Sequence, residues 1–231
     1  MATAEFVAWI QRLMDENPQP VAELFQRANL TKDVEEYLTF LCVLHAHGNR
    51  EVFDVAVRYS QSKVAAERAL AADVLGQLGW DKLPFLEERL QILLNLLKDK
   101  RACVLNSAGI GLGHLKASMD SMDLETDPRM VPPLVALKNH WSGSVRYSVA
   151  FALCGLDDDQ TVQTLIELSE DEQIIVRDWA TTGLAGIDLD MPEIREALVR
   201  RLDDPDEITA REAREGLARR GCDPPPTPPV A

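Results

Sequence analysis

The histidines are the first residues of this chain that could perform chemistry. There are four, His45, His47, His114 and His140. A helix brings side chains three or four positions apart onto one face, so His45 and His47 cannot chelate one ion as an i, i+4 pair would. The sequence also has no H-E-x-x-H motif. We therefore expect no metal site and no other cofactor.

A glycine-rich segment is the second candidate for chemistry. Gly109-Ile-Gly111-Leu-Gly113 has the spacing of a phosphate-binding loop. No strand pattern precedes it, and it lies inside a helical pattern, so close packing of two helices is the preferred interpretation. The sequence has no G-x-S-x-G motif and no assignable Cys–His arrangement. We predict that the protein is not an enzyme.

The four cysteines indicate a compartment rather than a reaction. Cys42, Cys103, Cys154 and Cys222 form no C-x-x-C motif, and three of them lie in apolar helical patterns. Such cysteines are typical of small buried side chains in a reducing environment. The N-terminus lacks the pattern of a signal peptide, and no apolar run reaches the length of a membrane span. We expect a cytoplasmic location.

The charge balance restricts the partners. The formal net charge is −14, from 38 Asp and Glu against 24 Lys and Arg. Sequence-independent binding of nucleic acid needs clustered cations, and anionic membranes repel an acidic surface, so we expect neither as a partner. A basic protein partner is electrostatically favoured. The alternative is that the acidic surface only maintains solubility.

A recurring leucine indicates the architecture. Six leucines each lie near the C-terminal end of an apolar, helix-period segment and recur every 31 to 41 residues: Leu44, Leu75, Leu112, Leu153, Leu184 and Leu217. We call them the register leucines. Stacked helix pairs have a period in this range, and strand patterns are almost absent. The sequence therefore predicts an all-α fold, an α-solenoid of about six antiparallel helix pairs.

Two segments depart from this repeat. Residues 1–222 are predicted to form a single solenoid domain, with the clearest repeats at 130–221. Ala117 to Met130 is acidic and is predicted to be a long linker, which accounts for the 41-residue spacing before Leu153. Residues 223–231 contain five prolines and are predicted to be a disordered tail.

The second helices of the later repeats resemble bacterial HEAT repeats, of the kind also grouped with bilin-lyase HEAT-like repeats. Val145-Arg146, the phrase Val176-Arg177-Asp178-Trp179-Ala180-Thr181 and the closing Leu217-Ala218-Arg219-Arg220-Gly221 carry the resemblance. Val34 to Leu115 matches by period only and lacks the Val-Arg pair. The resemblance implies a solenoid fold but not a function, because this fold has many unrelated roles.

The resemblance also suggests roles for three of these residues. In similar repeats an arginine after the core valine bridges to an aspartate or to the backbone of the neighbouring unit. We expect this role for Arg146 and Arg177, with ligand contact as the alternative. Trp179 lies at the edge of the apolar stripe, so packing between repeats is favoured over a stacking platform.

The remaining helix face predicts a binding groove. With 100° per residue, Tyr147 and Phe151 lie opposite the buried arc of their helix. In HEAT-like arrays the second helices line the concave face, so the equivalent positions should form a column there. The column includes Leu38, Cys42 and Ala69, and its binding candidates are Asp73, Asn106, Ile110, Tyr147, Phe151, Asp178, Thr182, Arg211 and Glu215. The alternative is that the linker or a tightly curled array covers the two aromatic rings.

The sequence thus predicts a non-catalytic scaffold or adaptor that presents an acidic concave groove to a protein. The aromatic pair would anchor the partner, and acids such as Asp73, Asp178 and Glu215 would select its Lys or Arg side chains. Two other classes stay open. One is an enzyme or chaperone similar to bilin lyases or to DNA glycosylases, in which Asp178 and Trp179 would supply a carboxylate and a stacking ring. The other is an immunity or inhibitor protein against a basic partner.

Overall fold

The computed structural model describes residues 4–222. That range contains thirteen α-helices and no β-strand. By internal contacts the chain divides into two compact units, with the division between Met130 and Val131. The expected all-α repeat fold is confirmed, and whether residues 1–222 form one domain stays a prediction.

The first unit contains seven helices. A single helix, α1, is followed by three pairs, α2/α3, α4/α5 and α6/α7, whose members pack against each other. Short 3₁₀ turns cover Trp80–Lys82 and Pro128–Met130. The helices are α1 Ala4–Glu16, α2 Val21–Leu30, α3 Val34–His47, α4 Arg50–Ser60, α5 Ala65–Gln77, α6 Leu86–Leu96 and α7 Ala102–Asp120.

The second unit contains three further pairs, α8/α9, α10/α11 and α12/α13. Within it the second helices stack in order, with α11 between α9 and α13. The helices are α8 Val131–Val135, α9 Gly143–Leu153, α10 Asp159–Leu168, α11 Ile174–Gly186, α12 Pro192–Arg201 and α13 Glu207–Arg219. Six helix pairs are therefore present, as the leucine period predicts.

The register leucines form the core of the repeats. Each lies on the second helix of its pair, and none is more than 2% exposed. The small residue four positions earlier is also buried wherever it is alanine, as at Ala71 and Ala108. A short side chain at this position lets two helices approach closely, so the leucine of one repeat packs against the next.

The closest helix approach lies at the glycines of α5 and α7. A Cβ added to Gly76 would lie 2.5 Å from the Cα of Gly111, and one added to Gly111 would lie 3.0 Å from the backbone oxygen of Ala72. No side chain fits between these backbones. The glycine-rich segment is therefore a packing surface inside a helix, and its interpretation as helix packing is confirmed.

One predicted boundary differs from the structure. α7 continues to Asp120, so the first four residues of the predicted 117–130 linker are helical. Met119 is buried on this extension and Lys116 pairs with Asp120 there, which stabilises an additional turn. The short α8 is followed by turns in which Leu137 N–H donates to the Leu134 carbonyl. The predicted disordered tail at 223–231 lies outside the described residues.

A buried arginine closes the end of α5. The guanidinium of Arg89 is completely buried and donates hydrogen bonds to the carbonyls of Leu75, Gly76 and Leu78. Burial lowers its pKa to about 10. These carbonyls are the acceptors that a helix leaves unpaired at its C-terminus, where a cation is also favoured by the helix dipole.

Candidate binding surface

Arginine–aspartate pairs join neighbouring repeats and fix their second helices. We call this series of pairs the ladder. Arg177 on α11 donates to both carboxylate oxygens of Asp204, at 2.9 and 3.0 Å. The same guanidinium donates to the carbonyls of Asp171 and Glu172, just before its own helix. The Asp204 side chain is 0% exposed. The predicted bridge from Arg177 to the next repeat is confirmed.

The neighbouring step of the ladder has the same geometry. Arg146 on α9 bonds both oxygens of Asp171, at 2.5 and 2.8 Å, and donates to the carbonyls of His140 and Trp141. Burial alone would raise the pKa of Asp171, but the hydrogen bonds from Arg146 hold it below the ordinary value. Both predicted arginines therefore form the bridges that the resemblance implies.

A third step lies in the first unit, where the sequence reasoning missed it. Arg68 on α5 bonds both oxygens of Asp99, at 2.7 and 3.1 Å, and donates to the Ser62 carbonyl. No valine precedes Arg68, so the Val-Arg pair is absent here. The signal that could have found it is spacing, because Arg68 lies seven residues before its register leucine, as Arg146 and Arg177 do.

Three aromatic rings of the second unit come together between α9 and α11. Trp179 contacts Phe151 edge to face, with ring centroids 4.8 Å apart, and lies 6.2 Å from the ring of Tyr147. Tyr147 and Phe151 are themselves 6.2 Å apart. Packing of Trp179 between repeats is therefore confirmed. All three side chains are partly exposed, and partial burial raises the pKa of the Tyr147 hydroxyl.

Asp178 lies beside this cluster with one oxygen unpaired. It precedes Trp179 on α11, six residues before its register leucine, and is therefore in register with Tyr147. Its Oδ1 is buried and has no hydrogen-bond partner among the described residues. Burial raises the pKa of its carboxyl group, and the carboxylates of Asp206 and Glu212 raise it further. An unpaired buried acceptor costs about 1–3 kcal/mol, which a donor from another molecule would offset.

The other predicted residues of the second unit lie at the margins of this cluster. Thr182 is half-buried on α11, and Arg211 and Glu215 are exposed on α13. Arg211 pairs with Glu212 at 3.2 Å and lies 3.8 Å from Glu215. Arg211 thus partly neutralises the acids of its own helix. We define the α9–α11 face as Tyr147, Phe151, Asp178 and Trp179.

In the first unit, Asp73 already has partners within the chain. Its carboxylate accepts a hydrogen bond from the Tyr37 hydroxyl at 2.5 Å and another from the Ser107 side chain. Burial is the largest effect on its carboxyl group and raises its pKa. The sequence reasoning treated Asp73 as a free acid. In the structure this acid joins α3, α5 and α7 instead.

Two other predicted residues of the first unit, Asn106 and Ile110, are half-buried on α7. The Oδ1 of Asn106 is buried without a hydrogen-bond partner in the described part of the chain. Asn106 and Asp178 occupy the same position, six residues before their register leucines. Each unit thus has one unpaired oxygen at this position.

Residues 4–222 contain neither a side-chain cluster suited to a metal ion nor a helix suited to cross a membrane. No group of three or more His, Cys, Asp or Glu side chains there could hold a metal ion. No helix in that range is long and apolar enough to cross a membrane.

Residues 131–218 match the family described as HEAT repeats. This match places the HEAT-repeat pattern in the second unit of the chain. The matched residues cover α8 to α13 and include the Val145-Arg146 and Val176-Arg177 phrases, so the resemblance stated from the sequence is confirmed. Within the matched residues, Arg146 and Arg177 each bond the aspartate that precedes the next second helix.

Known proteins with similar sequence or fold include Protein YibA of Escherichia coli strain K12, which is 29% identical over 180 residues, or 77% of this chain. The chain spans 62% of the length of that relative. An X-ray structure of YibA has a TM-score of 0.73 and 24% identity, and the match covers 95% of this chain and 76% of that one. A designed armadillo repeat protein in complex with the peptide (KR)4 has a TM-score of 0.55 and 15% identity, covering 87% of this chain and 99% of the designed one. These structural likenesses show the fold.

Proposed function

We propose that this protein is a non-catalytic interaction module that binds a protein segment bearing Lys or Arg on the α9–α11 face. Helical-repeat folds of this type are common scaffolds for protein binding. The observation that carries the proposal is the buried, unpaired Oδ1 of Asp178 beside a cluster of three aromatic rings. A cationic side chain can interact favourably with both the carboxylate and the aromatic rings.

The carboxylate and the rings act together on such a side chain. A guanidinium or ammonium group can donate to the half-buried Asp178 carboxylate, and a hydrogen bond between charged groups is about twice as strong as a neutral one. The faces of Tyr147 and Trp179 attract the same cation, while the aliphatic stem packs against Phe151. The acids that raise the pKa of Asp178 add to the attraction.

The chemistry of a structural neighbour supports this choice. The designed armadillo repeat protein with the same fold was solved with (KR)4, a peptide of alternating lysine and arginine. The net charge of −14 favours encounter with such a peptide. We further propose that the protein acts in the cytoplasm and that neither nucleic acid nor membrane is the partner of this face.

The test measures binding of a fluorescein-labelled (KR)4 peptide by fluorescence anisotropy. Asp178→Asn keeps the shape of the side chain and removes its charge, and we expect the affinity to fall about tenfold. The double variant Tyr147→Ala with Phe151→Ala should also lose binding while its helical circular-dichroism signal persists. Glu193→Gln, an exposed acid on α12, is the matched control and should change the affinity less than twofold.

Undiminished peptide binding in both the Asp178 and the aromatic variants would reject the α9–α11 face as the site. If Glu193→Gln lowered the affinity for (KR)4 by the same factor, net charge alone would account for the effect. A native partner can then be sought by affinity capture from a lysate, comparing the wild type with the aromatic double variant.

A further inference from the structure

A cavity in the first unit collects cations in an otherwise acidic protein. It has a volume of about 610 Å³, opens to solvent, and lies where the α4–α5 turn meets the α6–α7 turn. Ala65 contributes to its wall, and its charged lining is Lys63, Arg68, Lys98, Asp99, Lys100 and Arg101. This cavity belongs to neither the α9–α11 face nor the second unit.

The positive charge of this cavity is largely unneutralised. Asp99 is its single acid and is taken up by the ladder pair with Arg68. The other four cations, Lys63, Lys98, Lys100 and Arg101, are exposed and form no ion pair with any side chain that the structure describes. We name these four residues the basic quartet.

The ladder itself does not require this charge, as its other two steps show. Counted from the ladder arginine and aspartate, the positions of the basic quartet have equivalents at the Arg146–Asp171 and Arg177–Asp204 steps. All of these equivalents are acidic or uncharged. In the order Lys63, Lys98, Lys100 and Arg101, they are Trp141, Glu170, Glu172 and Gln173 at the Arg146–Asp171 step. At the Arg177–Asp204 step they are Glu172, Asp203, Pro205 and Asp206. The same scaffold geometry is thus built twice without the cations.

One member of the quartet, Arg101, is also unfavourable for local helix stability. Arg101 is the N-cap of α7 and makes no side-chain capping bond, whereas its equivalent Asp206 caps α13 by accepting from Thr209 N–H. An acidic cap is favoured at this position, and cations near the first turn are disfavoured by the helix dipole. Residues that break local rules without a stabilising contact are expected where a protein binds something.

We propose that this cavity binds a small anion carrying two or more phosphate groups. Four exposed cations around one opening exceed what a single carboxylate can neutralise, whereas a diphosphate carries several charges and several acceptor oxygens. Arg101 can engage a phosphate with two parallel hydrogen bonds, and the lysines supply point charges on flexible stems.

A compact ligand fits better than a nucleic acid. The quartet is confined to one step of the ladder, and the equivalent positions at the other steps carry acids or uncharged residues. A nucleic acid strand needs a basic track along successive repeats because each phosphate along it repels acids.

Isothermal titration calorimetry of the full chain with sodium pyrophosphate tests the proposal, with sodium acetate as a monovalent comparison. We expect pyrophosphate to bind the wild type more tightly than acetate does. The variant Lys98→Glu with Lys100→Glu copies the residues of the Arg146–Asp171 step and should weaken pyrophosphate binding at least about tenfold. Because both side chains are exposed and neither forms an ion pair with a described residue, its melting temperature should stay near that of the wild type.

Arg12→Glu with Lys82→Glu is the matched control, since it makes the same change in net charge at two exposed cations of the same unit that do not line the cavity. It should alter the affinity for pyrophosphate less than twofold. Equal pyrophosphate binding by the wild type and the Lys98/Lys100 variant would overturn the proposal. So would tighter binding of a single-stranded oligonucleotide of about 20 nucleotides that depends on the same lysines, because it would assign the cavity to nucleic acid. Binding of (KR)4 to the wild type is measured separately, so failure of this proposal is distinct from failure of the α9–α11 face.

Discussion

At the scale of single residues, the Arg177–Asp204 pair shows how a buried charge can be a structural part. Asp204 is fully buried, and its carboxylate is held by Arg177 and Arg201. Arg177 also closes the turn before its own helix through two carbonyls. One guanidinium therefore joins two repeats, and its loss leaves a buried carboxylate partly uncompensated.

Arg177→Met is expected to lower the free energy of unfolding by about 2–4 kcal/mol, because removing one partner of a buried pair leaves the other charge buried. Urea unfolding followed by circular dichroism measures this. Arg200→Met is the matched control, since its guanidinium pairs with Glu170 at the surface and should contribute less than about 1 kcal/mol. Similar losses in the two variants would contradict a special role for the ladder.

The same pair predicts a dependence on pH. Burial opposes ionisation of Asp204, but hydrogen bonds from Arg177 outweigh it and lower the pKa below the ordinary 3.8. A lowered pKa means that the stabilisation is complete above pH 3.8 and is lost as the pH falls further. The unfolding free energy of Arg177→Met should therefore decline less steeply than that of the wild type below about pH 4. If the unfolding free energies of the two proteins declined in parallel below pH 4, the Arg177–Asp204 pair would not account for the pH dependence.

At the scale of elements, the α5–α7 contact depends on two glycines. Backbone meets backbone at Gly76 and Gly111, so neither helix has room for a side chain at this point. The contact places α7 against α5, and it also brings Asn106 and Ser107 to the face where Asp73 lies. Helix spacing thus decides which polar groups of the first unit find partners.

Gly76→Ala is expected to destabilise the protein by roughly 1–3 kcal/mol, because the new Cβ would lie 2.5 Å from the Cα of Gly111 and the helices would have to separate. Thermal unfolding measures the loss. Gly186→Ala is the control, since a Cβ there meets nothing within 4 Å and alanine is the better helix former. A neutral Gly76 variant would mean that the helices move apart without cost.

At the scale of the whole molecule, net charge acts on stability and on binding in opposite directions. The charge of −14 creates self-repulsion over the surface, which salt screens within about 10 Å at 0.1 M. The ladder pairs are largely buried and are therefore screened less than exposed charges. Salt should therefore relieve the repulsion without weakening the scaffold.

Raising sodium chloride from about 0.05 to 0.5 M is expected to raise the melting temperature by a few degrees and to weaken binding of (KR)4 several-fold. Differential scanning calorimetry and fluorescence anisotropy measure the two effects on the same samples. Sucrose, which carries no charge, serves as the control for general solvent effects on binding. A melting temperature that falls with salt would show that surface ion pairs, and not self-repulsion, dominate.

The apolar period was enough to predict the repeat, because each helix buries a face set by residues three and four positions apart. Leu44, Leu153 and the other register leucines are core residues for that local reason. The bridges made by Arg146 and Arg177 were also predictable, through the resemblance to HEAT repeats. The end of α7 was not predictable from the sequence, because burial of Met119 depends on which other elements pack against this turn of the helix.

By itself, the sequence determined the fold class and the number of helix pairs. The tertiary structure alone decided which polar groups at the candidate positions are already paired. Asp73 meets Tyr37 across two helices, whereas Asp178 Oδ1 meets no donor. It also brought Lys63 beside Lys98 and Lys100, because the Arg68–Asp99 pair joins two turns far apart in sequence. Periodicity is a property of one helix, while pairing and charge clustering depend on distances between helices.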